Sequence, residues 1–244
     1  AIRGQIDDVQ FENRETSHSS YRRRVADNAT VLDRRRRSRT AFVESTRMKV
    51  LLIDDDALTG AYLTDLLQGR AELAIATTLA AVVAPDAYDA LICDKRLPDG
   101  DGWAWLATQA SLPPVVLRIS GDAALGAWRK PIAPELLMVA LGLLPDDVDD
   151  AQATRSLGAN PDAIAKLRAM LLRELASARV CTAASIEGED IDTIHRFAAG
   201  ARLVGFPGLA ASAAALERAC RTEQPVGELL KQFQAAVRRV LESQ

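Results

Sequence analysis

Short apolar runs that end in charged residues recur in the middle of the chain, and this pattern constrains the fold more than any other feature. One run, Val50–Ile53, ends in three aspartates, and a second, Ala90–Cys93, ends in Asp94. Segments of helical periodicity separate the runs, and such alternation indicates an α/β domain with a parallel sheet. Ligands of doubly wound sheets bind beyond the carboxyl ends of the strands, so the acidic residues are candidates for a binding site.

Five strands and four helices are predicted between residues 48 and 144. Four of the strands come from apolar runs bounded by turn residues, and the helices come from a period near 3.6 residues. The predicted strands are 49–54, 72–76, 89–93, 114–119 and 126–129, and the predicted helices are 57–68, 78–84, 102–110 and 133–143.

The rest of the chain shows no strand pattern. Residues 145–160 are acidic and polar and are predicted to form a linker. Alanine and leucine dominate from residue 161 onward, and turn residues divide this part into four helical segments. Since the intervening loops are short, an antiparallel four-helix bundle is favoured. The predicted helices are 161–184, 189–204, 208–222 and 226–242.

The charge distribution separates the first 47 residues from the remainder. The whole chain of 244 residues has a net charge of −3, which excludes a uniformly basic nucleic-acid binder. Residues 1–47 nevertheless carry +4, with arginine runs at 22–24 and 34–37, and the remainder carries −7. These 47 residues lack hydrophobic periodicity and are predicted to be a flexible arm. A contact of this arm with nucleic acid or with a membrane surface remains as an alternative.

Cysteine content and hydropathy suggest a cytoplasmic protein without a membrane span. The chain has three cysteines, an odd and small number that suits a reducing compartment. No apolar run approaches the ~20 residues of a membrane helix. The polar N-terminus lacks the pattern of a signal peptide.

The predicted carboxylate cluster has a specific chemical requirement. Asp54, Asp55 and Asp94 end neighbouring strands, and three like charges at one edge repel one another unless a cation neutralises them. Oxygen ligands from carboxylates, with places left for water and phosphate, suit Mg²⁺. A lysine before a proline, Lys130-Pro131, closes the same segment and brings an ammonium group to this edge.

These residues, in this order, resemble a response-regulator receiver domain from about Met48 to Leu144, with a flavodoxin-like parallel sheet of five strands. The resemblance implies that Asp94 accepts a phosphoryl group. It also implies that Asp55, Asp94 and the carbonyl of Arg96 bind Mg²⁺, with Asp54 acting through water.

The same resemblance assigns the residues that contact the phosphoryl oxygens. The Ser120 hydroxyl binds one oxygen and the Lys130 ammonium pairs with another, and the Lys130–Pro131 bond is expected to be cis. Only nine residues separate Ser120 from Lys130, so the fourth helix of the family is expected to be reduced to a turn. The aromatic switch position of the family is occupied by Ala127, with Trp128 next to it.

A second candidate site is His195, one of two histidines in the chain. A helical projection at about 100° per residue places His195 and Arg202 together, beside an apolar stripe. His195 is therefore expected at the edge of the core and partly exposed. The stripe consists of Ile194, Phe197, Ala198, Ala201, Val204 and Gly205.

The segment from His195 to Gly205, followed by a helix that contains Leu216-Glu217, resembles a histidine phosphotransfer domain. The family has a lysine three residues after the histidine and a glycine four residues after it, whereas this chain has Ala198 and Ala199. Arg202 or Arg196 is expected to replace the lost positive charge.

Together the two resemblances imply a phosphorelay protein that receives a phosphoryl group on Asp94 and carries one on His195. The implied partners are a sensor histidine kinase and another receiver or phosphotransfer protein. No ATP site of a kinase is recognisable. The alternative is a degenerate regulator that binds a partner protein without phosphorylation.

Overall fold

A five-stranded parallel sheet forms the centre of the region that spans residues 48–144, here called the α/β region. The computed structural model describes residues 47–122, 126–145 and 148–243, so the predicted arm lies outside the described residues except for Arg47. The strands of this sheet are β1 (Met48–Ile53), β2 (Ala71–Ala76), β3 (Ala90–Asp94), β6 (Val115–Ser120) and β7 (Trp128–Arg129); β4 (Arg96–Leu97) and β5 (Gly100–Asp101) form a small hairpin. The order of the strands in the sheet is β2-β1-β3-β6-β7, which is the predicted flavodoxin-like arrangement.

Three helices cover the two faces of the sheet: α1 (Ala57–Leu67), α2 (Gly102–Thr108) and α3 (Pro134–Ala140). Alternate residues of the strands point to opposite faces, so each strand contributes to two cores. Leu52 packs in the core that includes α1 and α3, whereas Leu51 packs in a smaller core with α2.

The helix predicted over residues 78–84 does not form. Two single 3₁₀ turns, Leu79–Ala81 and Pro85–Ala87, take its place. Ala84 precedes a proline and adopts the left-handed conformation with φ of 48°, which ends any helix there. The Asp99 carboxylate also accepts hydrogen bonds from the backbone of Leu79 and Ala80 at 2.9 Å and holds the first turn in place.

The segment between β6 and β7 is as short as the sequence predicted. It comprises residues 121–127, and none of its four described residues is helical. Two turns of α-helix need about seven residues, which is the length of the whole segment, so its non-helical residues exclude a helix of that length. Residues 123–125 lie outside the described residues.

Five helices follow the α/β region: α4 (Asp150–Leu157), α5 (Pro161–Ser177), α6 (Gly188–Leu203), α7 (Pro207–Arg221) and α8 (Gly227–Glu242). We call residues 148–243 the helical region. Helices α5 to α8 form the predicted all-α bundle, although α5 ends before a 3₁₀ turn at Arg179–Cys181. No helix in the described residues is both long enough and apolar enough to cross a membrane.

Helix α4 lies within the segment predicted to be a linker, and that prediction does not hold for residues 150–157. The Asp149 carboxylate caps the helix by accepting a hydrogen bond from the backbone of Gln152 at 2.8 Å. The backbone N–H of Asp149 donates to the Gly205 carbonyl at 2.8 Å, and α4 packs on α6. Acidic residues at the start of α4 therefore serve as a cap and a first turn.

One hydrophobic core extends through the α/β region and the helical region. Leu117 of the sheet and Phe206 and Phe233 of the helical region belong to the same cluster of buried residues. Helix α3 lies between them and packs against α7 and α8. All five residues from Leu136 to Ala140 are buried, because the sheet covers one side of α3 and the helical region covers the other.

Candidate functional site

The three predicted aspartates converge at the carboxyl edge of the sheet. Ile53 of β1 pairs with Cys93 of β3, so the residues that follow, Asp54 and Asp94, come side by side. Ligand oxygens of Asp54, Asp55 and Asp94 lie within 4.8 Å of one another. Asp54 and Asp94 are buried, with 2% and 7% exposure, whereas Asp55 is exposed.

Lys130 links the two buried aspartates. Its Nζ lies 2.7 Å from Oδ2 of Asp54 and 2.8 Å from Oδ1 of Asp94. The Lys130–Pro131 peptide bond is cis, as the resemblance implied. The backbone N–H of Lys130 donates to the Ser120 carbonyl at 2.9 Å, so the lysine continues the pairing of β7 with β6.

Burial and charge oppose each other within this cluster. Burial raises the pKa of the Asp54 carboxyl, and the hydrogen bonds from Lys130 and from the Asp56 backbone only partly offset this effect. Burial also disfavours the charged form of Lys130, but hydrogen bonds to Asp54 and Asp94 outweigh it and raise the lysine pKa. The ammonium therefore stays charged between the two acids.

The remaining predicted residues surround Asp94. The backbone N–H of Arg96 donates to Oδ2 of Asp94 at 2.8 Å. Ser120 is buried at the end of β6, and its hydroxyl accepts a hydrogen bond from the backbone of Asp122 at 3.1 Å. The Arg96 guanidinium pairs with the Asp122 carboxylate at 2.8 Å on the surface. The strand ends thus bring Ser120, Arg96 and Lys130 into one site with the acidic cluster.

The donor set of this cluster fits a hard divalent cation such as Mg²⁺. All its side-chain ligands are carboxylate oxygens, which Mg²⁺ prefers. Asp55 has no hydrogen-bond or ion-pair partner among the described residues, so its carboxylate is available as a ligand beside the buried pair. Lys130 neutralises part of the charge of the other two acids.

Gly102 lets α2 begin directly against the backbone of Asp94. A Cβ atom at this glycine would lie 2.1 Å from the Asp94 carbonyl oxygen and 2.7 Å from Sγ of Cys93. The backbone N–H of Gly102 donates to the Lys95 carbonyl at 2.8 Å. The lack of a side chain at Gly102 therefore allows the backbone at the start of α2 to lie directly against the backbone of Asp94.

His195 lies on the outer face of α6, at the edge of the helical core as the periodicity predicted. Its side chain is 63% exposed, and Nδ1 lies 3.1 and 3.0 Å from the two carboxylate oxygens of Glu217 on α7. The Arg221 guanidinium donates to the same carboxylate at 2.9 Å. Burial opposes ionisation of Glu217, but these hydrogen bonds outweigh it and hold the pKa of Glu217 below its ordinary value.

The two arginines predicted to assist His195 do not contact it in the described part of the chain. The Arg196 guanidinium donates to the Thr193 hydroxyl at 3.3 Å. Arg202 contributes its backbone carbonyl, which accepts from the Gln152 side chain at 2.8 Å. Arg221 instead shares a partner, the Glu217 carboxylate, with the histidine. The spacing of Glu217 and Arg221, four residues apart on a helix, was the signal that could have identified this pair.

Comparison with known proteins gives matches to solved structures only. No protein-family model matches the chain, and no curated protein matches it. The chain is similar to the non-phosphorylated HemR receiver domain from Leptospira biflexa, with 26% identity, 38% of this chain and 90% of that chain covered, and a TM-score of 0.32.

Two further matches are also response regulators. A CheY-like receiver domain from Methylobacillus flagellatus is 21% identical, with 36% of this chain and 91% of that chain covered and a TM-score of 0.32. The response regulator DrrB from Thermotoga maritima is 20% identical, with 46% of this chain and 53% of that chain covered and a TM-score of 0.31.

Proposed function

We propose that the protein is a two-component signalling protein whose α/β region is a receiver that accepts a phosphoryl group on Asp94. The observation that carries this proposal is the Lys130 ammonium between Asp54 and Asp94, beside the exposed Asp55 carboxylate. The buried Asp94 carboxylate can act as the nucleophile, and the Lys130 ammonium places a positive charge beside the anionic group that is transferred. The partner that donates the phosphoryl group is then a sensor histidine kinase.

In the proposed reaction an Asp94 carboxylate oxygen attacks the phosphorus of a phosphohistidine or of a small acyl phosphate. The new O–P bond forms as the bond from phosphorus to the donor breaks, and the donor leaves as imidazole or carboxylate. Lys130 and the Ser120 hydroxyl stabilise the charge on the transferring oxygens, and positioning supplies most of the catalysis. Asp54, Asp55 and Asp94 would hold Mg²⁺, which supplies positive charge at the phosphoryl oxygens when bound.

We further propose that the helical region is a phosphotransfer bundle that carries a phosphoryl group on His195. The contact of Nδ1 with Glu217 favours the tautomer in which Nδ1 carries the proton. The lone pair then resides on Nε2, which makes Nε2 the nucleophile of this exposed side chain. Phosphoryl would reach His195 from a phosphorylated receiver and leave to another one.

Labelling with acetyl phosphate tests the receiver proposal. The chain should gain one phosphoryl group in the presence of Mg²⁺ and none in the presence of EDTA, as measured by intact mass. Asp94→Asn should abolish the gain, while Asp65→Asn, a change at an exposed acid of α1, should leave it intact. Labelling that persists in Asp94→Asn would contradict the assignment of Asp94.

Transfer in trans tests the histidine proposal. The chain carrying Asp94→Asn is incubated with a separate, phosphorylated receiver, and phosphohistidine is located by mass spectrometry of peptides. Phosphate should appear on His195, and His195→Gln should remove it. If the Asp94→Asn chain gains the same amount of acid-labile phosphate with and without His195→Gln, the bundle is not a phosphotransfer domain.

The second candidate function is a regulator that binds a partner without phosphorylation. Ala127 at the position of the aromatic switch and the buried helix α3 favour it, because both alter the usual route from the phosphorylation site to an output face. In that case Asp94→Asn would bind the cellular partner as tightly as the parent chain. The basic arm, through which nucleic acid would bind, lies outside the described residues.

A further inference from the structure

The end of α7 and the turn after it contact both candidate sites. We call residues 217–224 the α7 end. Glu217 holds Nδ1 of His195, and Oε1 of Gln224 accepts a hydrogen bond of 3.0 Å from the backbone N–H of Arg129. Arg129 immediately precedes Lys130, the lysine between the acids. A single short segment therefore reaches both the histidine and the strand that carries the lysine.

The strand contacted by Gln224 is the shortest strand of the sheet and lies at its edge. β7 has two residues and pairs only with β6, through Ile119 opposite Trp128 and Ser120 opposite Arg129. The outward N–H of Arg129 has the Gln224 side chain as its partner instead of another strand. A two-residue edge strand has few hydrogen bonds to lose, so it moves more easily than β1 or β3.

A second contact joins the α7 end to α3, the helix that follows β7. Arg218 of the α7 end forms an ion pair with Glu135 in the first turn of α3, which follows the cis proline after Lys130. Arg218 is adjacent in sequence to Glu217. The shared core holds α7 against α3, so these polar contacts rest on a firmly packed layer.

We propose that the α7 end couples the two sites, so that the state of the Asp94 site changes the reactivity of His195. Lys130 pairs with both Asp54 and Asp94, and any change at Asp94 alters the position that suits this lysine. Because Lys130 directly follows β7, its movement shifts the strand and changes the hydrogen bond to Gln224. The α7 end passes this change to Glu217 and its contact with the imidazole. This coupling goes beyond the proposed function, which requires only that each site works.

The test needs no phosphorylation, so its failure can be told apart from failure of the proposed function. Full-length chains are treated with diethyl pyrocarbonate, and the rate at which the His195 peptide is modified is read by mass spectrometry. The chains are the parent, Asp94→Asn, Gln224→Ala and the double variant. Asp94→Asn retains the shape of the side chain, and circular dichroism confirms that each chain is folded.

We expect Asp94→Asn to change the His195 rate by at least about twofold, the lower end of the effects that mutations have on coupling between distant sites. In the Gln224→Ala background, the logarithm of the rate change caused by Asp94→Asn should fall to less than half of its value in the parent chain. Gln109→Ala, which alters a glutamine at the end of α2, should leave the effect of Asp94→Asn at full size. Gln224→Asn, one methylene shorter, should reduce it like alanine.

Two outcomes would overturn the coupling. One is a His195 rate that is the same in the parent and in Asp94→Asn. The other is an Asp94→Asn effect of equal size with and without Gln224, since a direct electrostatic field does not depend on a neutral side chain. Both results are compatible with phosphorylation of Asp94.

Discussion

Asp54 is an acid in an environment that opposes its ionisation. Burial raises its pKa above the ordinary value of 3.8. At pH values between 3.8 and the raised pKa of Asp54, the folded chain binds more protons than the unfolded chain. Through this pH range, Asp54 alone therefore makes the metal-free protein less stable as the pH rises. Mg²⁺ acts in the opposite direction because it binds the ionised carboxylate.

The stabilisation by Mg²⁺ should therefore decline when pH is lowered from neutral toward the raised pKa of Asp54. The rise in melting temperature on adding Mg²⁺, measured by calorimetry across this range, should disappear at a higher pH than the titration of a free aspartate would give. Asp54→Asn should weaken the Mg²⁺ effect at neutral pH. A Mg²⁺ effect that is constant down to the titration range of free aspartate would contradict this prediction.

Gly102 is expected to tolerate no side chain. Gly102→Ala places a methyl group against the Asp94 carbonyl, so the backbone of Asp94 has to shift. Overpacking of this kind costs about 1–3 kcal/mol. We expect a fall of that size in the free energy of unfolding, together with weaker Mg²⁺ binding by titration calorimetry.

Gly121→Ala is the matched control, because an added Cβ there meets no atom within 4 Å. It should change neither stability nor Mg²⁺ affinity by a comparable amount. Equal effects of the two substitutions would show that steric contact with Asp94 is not the cause.

Helix α4 depends on Gly205, which ends α6 with φ of +77°. A Cβ atom there would lie 2.2 Å from the Asp149 carbonyl oxygen, at the start of α4. Gly205→Ala should therefore combine a left-handed backbone cost of about 1–2 kcal/mol with a steric overlap. Gly69→Ala, just beyond the end of α1, is the matched control, because Gly69 also has a positive φ, of +74°, but open space around it.

The difference between these two variants isolates the packing of α4 on α6. We expect Gly205→Ala to lower the free energy of unfolding in urea by more than Gly69→Ala. Hydrogen exchange should also increase in residues 150–157 for Gly205→Ala. The interpretation fails if both variants lose the same stability and α4 keeps its protection.

The elements that the sequence predicted well are those with strong local signals. The strands of the sheet follow apolar runs with sharp ends, and the acidic cluster follows from the parallel arrangement of those ends. Helix α4 was missed because a short, polar segment has little periodicity, and its stability comes from a cap and from contact with Gly205. The helix over residues 78–84 was wrong because a left-handed alanine before a proline outweighed helical periodicity.

The candidate sites show the same limit. The position of Lys130 and the cis bond to its proline were predictable, because the order of Asp54, Asp94 and Lys130 along the chain resembles a known family in which such residues meet at one site. Arg202 and Arg196 were chosen by their position on one helix, but the cation near His195 comes from the next helix through Glu217. A contact between helices depends on their packing, and a projection of one helix does not contain that information.

The shared core predicts that residues 48–243 unfold as one unit. All three tryptophans lie in the α/β region, so their fluorescence reports that region alone, whereas most of the circular dichroism signal at 222 nm arises from the longer helices α5 to α8. The two signals should follow the same urea transition. Separate transitions would show that the two regions unfold independently despite their common core.

Leu137→Ala extends this prediction to the layer between the regions. Leu137 is fully buried in α3, and its truncation should cost about 2–5 kcal/mol. Both optical signals should shift to lower urea by the same amount. Leu58→Ala, at a side chain that is 81% exposed on α1, should shift neither signal comparably.

The burial of α3 on both sides also limits how freely this α/β region could be recombined with other output domains. A helix with one apolar face can be grafted ahead of an unrelated domain, because its outer face is already suited to water. Here a transplanted segment ending near residue 144 would present the bundle-facing side chains of α3 to solvent. Chimeras cut at that point should aggregate, and a productive crossover has to carry the helical bundle along with the sheet.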